Sequence, residues 1–495
     1  MRSIRFVIGT AILGLSVMGC HTSGVNHGGG GGSSGGGTGG TGGTGGTGGT
    51  GGTGGGAPAP TCIETTSPPT CQVSCPSTPT TITGTVFAPN GTLPLYNAIV
   101  YIPSQTPAAF TDGVTCEACD GQVSGAPIVT ALTGPDGTFT LQNVPPGNNI
   151  PLVVQLGKWR VQTTIPSVGS CTSTAIDKTL TTLPANSSQG DMPKIAIATG
   201  SADPFECLLL KIGIDPAEIQ PDSAGKRLSF FTGVHAPGTT MNGATDATML
   251  YPSLDKLMTY DIVMLPCEGD EFDQSTDAND QPLATDPRAL MVQYVNMGGR
   301  LFSTHFSYDW LTYTGSPFNA ISQPLTNGLW DKNQTDYPLL DTTVTTAQLV
   351  TTFPKGLAFA QWLIAAGAQS AMNTLNILAI RHDIDGVDPA LATVWATDTM
   401  PGKKGAAGKA GIAHLTFNTP LNPASTVDDP GVYCGRVVFS DFHVASDEVN
   451  DPNGTFPGTC VGGPLTDQEK ALAFMLFDLS SCVQPDSGTP TPPIT

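Results

Sequence analysis

The apolar pattern of this chain changes period once, near Met192, and that switch limits the architectures open to it more than any other feature. Before it, from Thr81 to about Leu183, the runs ITGTVFA, NAIVYIP, GTFTLQNV, IPLVVQL and KWRVQTTI alternate apolar with polar residues and are broken by Pro-Asn-Gly, Pro-Asp-Gly and Pro-Pro-Gly. Period-two segments separated by such turns predict an all-β sandwich. After it, Lys194–Thr199 (KIAIAT) is a continuous apolar strand, and Asp203–Ile212 has helical apolar spacing with Asp203 as N-cap and Pro204 at the first helical position. A strand at Leu228–Thr232, a helix-like stretch at Ala247–Leu257, strand Asp261–Pro266, helix Asp286–Met297 and strand Arg300–Phe306 follow. Strands alternating with amphipathic helices predict a parallel sheet covered on both faces. The expected fold class is therefore multidomain, an all-β sandwich followed by an α/β doubly wound domain.

The sandwich segment carries Ile82-Thr83-Gly84-Thr85-Val86, Asn97 to Ile102, Gly134-Pro135-Asp136-Gly137-Thr138-Phe139 and Val144-Pro145-Pro146-Gly147. In these motifs it resembles the carboxypeptidase regulatory-like domains of transthyretin-type fold. The resemblance spans roughly a hundred residues and implies a non-catalytic module of a cell-surface or secreted protein. The chain departs from it in a long loop bearing Cys116-Glu117-Ala118-Cys119. No strand-helix context of a redox CxxC surrounds that pair, so a local or cross-loop disulfide is expected.

In the second segment, Gly298 to His305 resembles the strand leading to the nucleophile elbow of class I glutamine amidotransferase-like domains, and more closely the ThuA-like branch, where a His stands at the elbow. Ala392 to Trp395, Gly411 to Phe417 and Gly435 to His443 are similar to the closing strands of that branch. The resemblance implies a flavodoxin-like, amidotransferase-like fold. Amidotransfer needs a Cys thiolate at the elbow with a His to activate it; this chain has His305 there, which argues against glutamine hydrolysis by that route.

The start of the chain addresses it. Arg2 and Arg5 precede an apolar stretch from Phe6 to Met18, shorter than the roughly 20 apolar residues a membrane span requires; this is a signal peptide. Val17-Met18-Gly19-Cys20 resembles the lipobox of bacterial lipoproteins, which implies acylation of Cys20, cleavage before it and a lipid anchor. Acyl chains contribute about 0.8 kcal/mol per buried methylene, so two or more hold a protein stably. His21 in place of Asp, in the enterobacterial sorting rule, points to the outer membrane. From Gly28 to Gly56 the chain is almost pure Gly with regularly spaced Thr, a flexible tether spanning on the order of 30 Å.

Acidic residues outnumber basic ones 40 to 20, for a net charge of -20, which argues against nucleic acid or anionic lipid as partner. Twelve cysteines in an exported chain read as disulfides. With Cys20 acylated, the rest divide into a front group (Cys62, Cys71, Cys75, Cys116, Cys119, Cys171) and a back group (Cys207, Cys267, Cys434, Cys460, Cys482), and the odd thiol is expected in the back group.

Ligands of open α/β sheets sit at the carboxyl ends of the strands. Those ends here bear Gly200 to Asp203, Cys267 to Asp270, and His305 with Ser307 and Asp309. His305, His443 and Glu268 are the candidate catalytic residues, and Asp441 and Asp309 the candidate ligands of a divalent metal, since imidazole and carboxylate suit such ions. No HxH or HExxH spacing backs a metal, and buried, hydrogen-bonded histidines are the plainer reading. Cys267 could act as a displaced nucleophile, although an exported cysteine is more often a disulfide. The acidic loop Glu268 to Asp286 does not match an EF-hand and reads as solvated. Trp330, Tyr337, Phe353, Phe359 and Trp362 could line a carbohydrate groove or fill a core, with an amphipathic helix near Lys355 to Ala366.

The expected organisation is a signal peptide (1–20), a linker (21–57), a Cys/Pro-rich lead-in (58–80), the β-sandwich (81–190), the α/β domain (191–483, insertion about 314–383) and a disordered Pro-rich tail (484–495). The arrangement resembles lipoproteins of myxobacteria and their relatives. It implies a non-enzymatic outer-membrane lipoprotein without a cofactor, binding glycan or envelope proteins. The alternative is a ThuA-like hydrolase or sugar-modifying enzyme that uses His305 and His443 with an acidic partner, with or without a metal.

Overall fold

A computed structural model describes residues 73–492 apart from 118, 120–122, 313–343, 379, 385, 399–409, 422–431 and 445–453. The signal peptide, Cys20, the tether, Cys62, Cys71, Trp330 and Tyr337 lie outside the described residues. The described chain is mixed α/β with several sheets and more strand than helix.

Seven strands come first: β1 (Thr81–Thr85), β2 (Ile99–Pro103), β3 (Pro127–Leu132), β4 (Thr138–Gln142), β5 (Gly147–Leu156), β6 (Trp159–Val168) and β7 (Ser173–Ala175). They form two sheets, β4-β1-β7 and β3-β2-β5-β6. The alternation read from the sequence has a direct structural meaning. In β4, Phe139 and Leu141 point inward while Thr138, Thr140 and Gln142 are exposed. Together with Ile82 they meet Val100, Ile102, Leu152 and Val154 of the other sheet in one core.

The second part comprises β8 (Ile195–Ala198), α1 (Phe205–Lys211), β9 (Ile219–Pro221), β10 (Leu228–Phe231), α2 (Leu254–Leu257), β11 (Ile262–Leu265), α3 (Pro287–Asn296), β12 (Arg300–Thr304), α4 (Asp309–Thr312), β13 (Val344–Leu349), α5 (Pro354–Ala365), β14 (Thr374–Leu378), β15 (Thr393–Asp398), β16 (Gly411–Thr419), β17 (Gly435–Ser440) and α6 (Asp467–Ser480). The strands make one ten-stranded sheet of order β14-β13-β15-β16-β17-β12-β11-β8-β10-β9. It is parallel from β17 to β9 and antiparallel from β14 to β17, so the expectation of a parallel sheet describes only its central and far strands. Strands β8, β10, β11, β12 and β17 are buried at every residue, which is why they show no apolar–polar alternation of period two. Ile195, Ile197, Met264 and Phe302 pack with α1 and α6 on one face. Ala196, Ala198, Val263 and Leu301 pack with α2 and α3 on the other.

The capping signals account for three helix starts differently. Asp286 caps α3 by accepting from the Arg288 N–H, and Thr466 with Glu469 forms a complete capping box on α6. Asp203 caps nothing: its side chain turns inward, where it accepts from Thr304 Oγ1 and from the Val444 N–H, and Pro204 takes the N-cap position of α1 with no side-chain cap.

The architectural change near residue 190 does not divide the core. The α6 face of the large sheet continues into the core of the two smaller sheets. Phe474 and Phe477 of α6 lie against Tyr96 and Trp159, with ring centroids 6.0 and 6.2 Å apart, and Trp362 Nε1 donates to the Pro94 carbonyl at 2.7 Å. Gly157, at φ +54°, lets the β5–β6 turn touch α6: a Cβ there would fall 1.7 Å from the Ser480 carbonyl oxygen. Phe359 and Trp362 are thus core residues around Phe474, not the walls of a groove.

Among the described residues, four disulfides join Cys75 to Cys171, Cys207 to Cys460, Cys116 to Cys434 and Cys119 to Cys482. The front and back groups expected from sequence are crossed by two of them. The cause is local: the Cys116–Cys119 loop lies along the end of α6, with the Cys119 N–H donating to Val483 O at 3.1 Å and the Val483 N–H to Glu117 O at 2.8 Å. That pairing sets Cys119 beside Cys482 rather than beside Cys116. The start of the expected tail is also held, because Asp486 is buried and accepts from Arg436 and Thr416, each at 2.7 Å.

Candidate functional site

Three adjacent parallel strands, β11, β12 and β17, end together and deliver Cys267, His305 and His443 to one point. His305 follows β12 immediately and has φ +40°. A non-glycine residue in the left-handed region is uncommon and strained, a feature of sites where a side chain must be aimed. Here it aims Nδ1 at two groups at once: Cys267 Sγ is 3.3 Å away and His443 Nε2 is 3.1 Å away. On the far side of the ring, His305 Nε2 lies 3.4 Å from Asp383 Oδ2.

Asp383 is brought in by the segment after β14. The Arg381 N–H donates to the Asp441 carbonyl at 2.9 Å, and the Asp383 N–H to Asp441 Oδ2 at 2.7 Å. The segment is thereby stitched to the end of β17, and His305, Asp383 and Asp441 form a second close group. Behind them, Asp203 holds Thr304 and Val444, the neighbours of His305 and His443.

Burial governs the electrostatics. Cys267 and Asp441 are 0% exposed, His305 2% and Asp383 6%. Burial pushes the Cys267 thiol well up. It drives His305 far below the usual imidazole range, helped by the neighbouring His443 and Arg381 charges, and holds His443 down to about 3. Burial likewise raises Asp383 to about 6, and it raises Asp441 further with Asp383 beside it. Asp203 is pushed up to about 7. The imidazoles are neutral at physiological pH, and a protonated thiol stands beside them.

Of the residues singled out from sequence, the structure brings Cys267, His305, His443 and Asp441 together and places Glu268 and Asp309 in other contacts. Glu268 Oε2 accepts from the N–H groups of His235 and Ala236 at 2.7 Å each, so its carboxylate organises the loop after β10. Asp309 accepts from Arg288 Nη1 at 3.0 Å and from the Gln274 N–H at 3.1 Å, an ion pair that fixes the acidic loop. Strand-end position does not reveal which backbone N–H groups a carboxylate will face, and for that reason it misplaces both residues. Asp383 escapes a sequence reading because it stands at the end of the insertion, far from any strand of the parallel set. Cys267 is the one free cysteine among the described residues.

No protein-family profile matches the chain, and no curated protein does. Among solved structures, a ThuA-like protein from Bacteroides uniformis overlaps 57% of this chain and 88% of its own, at 10% identity and a TM-score of 0.26. A cytoplasmic protein from Salmonella typhimurium overlaps 51% and 89%, at 10% identity and a TM-score of 0.24. The β-galactosidase of Bacillus circulans overlaps 52% of this chain and 29% of its own, at 10% identity and a TM-score of 0.21. Overlaps of this quality carry no argument about function, which has to come from the chain's own residues.

Proposed function

We propose that this chain is an exported lipoprotein of the cell envelope, anchored to the outer membrane through Cys20, that binds an envelope component rather than transforming it. In this reading a transthyretin-like sandwich and a doubly wound, amidotransferase-like domain act as one rigid body at the end of the glycine tether. The observation that carries it is the double staple Cys116–Cys434 and Cys119–Cys482, which closes the two parts around a cleft of about 520 Å³. Ligand sites commonly measure about 300–1,000 Å³ and favour domain junctions.

Ile99, Phe110, Val123 and Leu132 give the cleft apolar walls. Its charged lining groups are already engaged, since Lys158 bonds the Thr111 and Gly113 carbonyls and Asp261, and Glu117 accepts from Thr115. Gln155 and Gln484 contribute amide side chains to the lining. This lining suits an uncharged, partly apolar ligand with amide character, and so a peptide portion of an envelope protein or of cell-wall glycan.

Thermal-shift screening of the purified chain against envelope peptides and cell-wall fragments tests the proposal. A ligand should raise the melting temperature of the wild type and leave Ala108→Trp, which fills the cleft, unmoved. The enzymatic alternative is favoured by one observation, the 3.1 Å approach of His443 to His305 beside Asp383. If His305→Ala and His443→Ala keep the fold but abolish the cellular phenotype while Ala108→Trp does not, that alternative replaces the binding reading.

A further inference from the structure

The geometry points to a new site: we propose that Cys267 Sγ, His305 Nδ1 and His443 Nε2 are the three protein ligands of one tetrahedral zinc-type ion, with Asp383 as the positioning residue for His305. The site is independent of the cleft between the two parts, and neither stands or falls with the other.

The distances fit. Zinc bonds of about 2.0–2.1 Å to nitrogen and about 2.3 Å to sulfur place tetrahedral N···N edges near about 3.3 Å and N···S edges near about 3.5 Å. The observed separations are 3.1 Å for the two nitrogens and 3.3 Å for nitrogen and sulfur, and all three donor atoms lie within 4.8 Å of one another. Hydrogen bonding alone explains the cluster poorly. Both Cys267 Sγ and His443 Nε2 approach the same Nδ1 of His305, which has one lone pair when unprotonated and none when protonated. A cation among the three donors uses one lone pair from each.

The surroundings match a metal site in two further ways. Metal-bound histidines characteristically turn their other ring nitrogen towards a carboxylate; His305 Nε2 lies 3.4 Å from Asp383 Oδ2, within ion-pair range, while Nδ1 faces the other two donors. The Cys267 sulfur accepts from the Gly269 N–H at 3.2 Å, a bond that strengthens when the sulfur carries charge. On coordination the thiol proton leaves to solvent and the dication compensates the buried negative charge. A set of two imidazoles and one thiolate selects zinc or a similar borderline ion over calcium or magnesium, which take oxygen donors. Three protein ligands leave a fourth position for water or an incoming donor, as in catalytic rather than structural zinc sites.

Titration of the metal-stripped full-length protein with cobalt(II), followed by absorption spectroscopy and competition with zinc, tests the proposal. The wild type should bind about one equivalent and develop tetrahedral d–d bands together with a thiolate-to-cobalt charge-transfer band. Cys267→Ser should lose the charge-transfer band. Asp383→Asn should weaken binding by about 10- to 100-fold while keeping that band. The wild-type result needs no variant to fold: a natively folded protein that takes up no cobalt, or one that binds it without a thiolate band, overturns the proposal.

Discussion

Trp362→Phe probes the claim that one core runs through both parts of the molecule. Trp362 lies on α5, is 1% exposed, packs against Phe474 with ring centroids 5.2 Å apart, and donates to the Pro94 carbonyl at 2.7 Å. Phenylalanine keeps one ring and removes the donor. Leaving a buried carbonyl without its partner costs about 1–3 kcal/mol, and losing the second ring's burial and packing adds about 1–2 kcal/mol. The expected loss is about 3 kcal/mol. Urea unfolding, followed both by far-ultraviolet circular dichroism and by tryptophan fluorescence, should show the midpoint falling with an unchanged slope. Because Pro94 belongs to the first part and α5 to the second, both probes should shift together as one transition. A loss below about 0.5 kcal/mol, the range of an ordinary surface change, or a shift confined to one of two separate transitions, would refute the reasoning.

Two further perturbations concern buried charge. His414, whose Nδ1 lies 2.6 Å from Ser440 Oγ, is held down to about 3 by burial. Its folded value lies below its unfolded one, so its contribution is present above about pH 6.5 and is lost as pH falls towards 3; between pH 7 and 5 the loss is about 2 kcal/mol. Urea midpoints at those two pH values should therefore differ less in His414→Gln than in the wild type, and an equal difference counts against the assignment. Asp486 is held down to about 2, against burial, by Arg436 and Lys355. Asp486→Asn leaves Arg436 with Asp478, at 2.7 Å, as its remaining carboxylate and should cost about 3 kcal/mol. A calorimetric melting temperature within error of the wild type would show that the tail is not anchored there.

Much of the secondary structure is legible in the sequence. The strands read at Lys194–Thr199, Asp261–Pro266 and Arg300–Phe306 correspond to β8, β11 and β12, and the helix read at Asp286–Met297 corresponds to α3. Ala247–Leu257 reads as helical, yet the structure has a single turn of 3-10 helix at Ala247–Met249 and one turn of α-helix at Leu254–Leu257, because Pro252 interrupts the spacing. Long-range features are not legible. The antiparallel half of the large sheet depends on pairings such as His414 with Ser440 that no local pattern announces. Cys116 and Cys119 leave a local or a cross-loop disulfide open in the sequence, and they pair elsewhere because the end of α6 offers Cys119 a backbone partner. At the site, strand-end position locates His305 and His443, but only the tertiary path of residues 381–383 supplies Asp383.

Covalent stapling of the two parts into one body underlies both the shared core and the cleft. Peptide mapping of the non-reduced protein by mass spectrometry, with free thiols blocked before digestion, reads this directly. It should recover Cys116 linked to Cys434 and Cys119 linked to Cys482, with Cys267 free of any disulfide. Recovery of Cys116 linked to Cys119, or of Cys434 linked to Cys482, would contradict it.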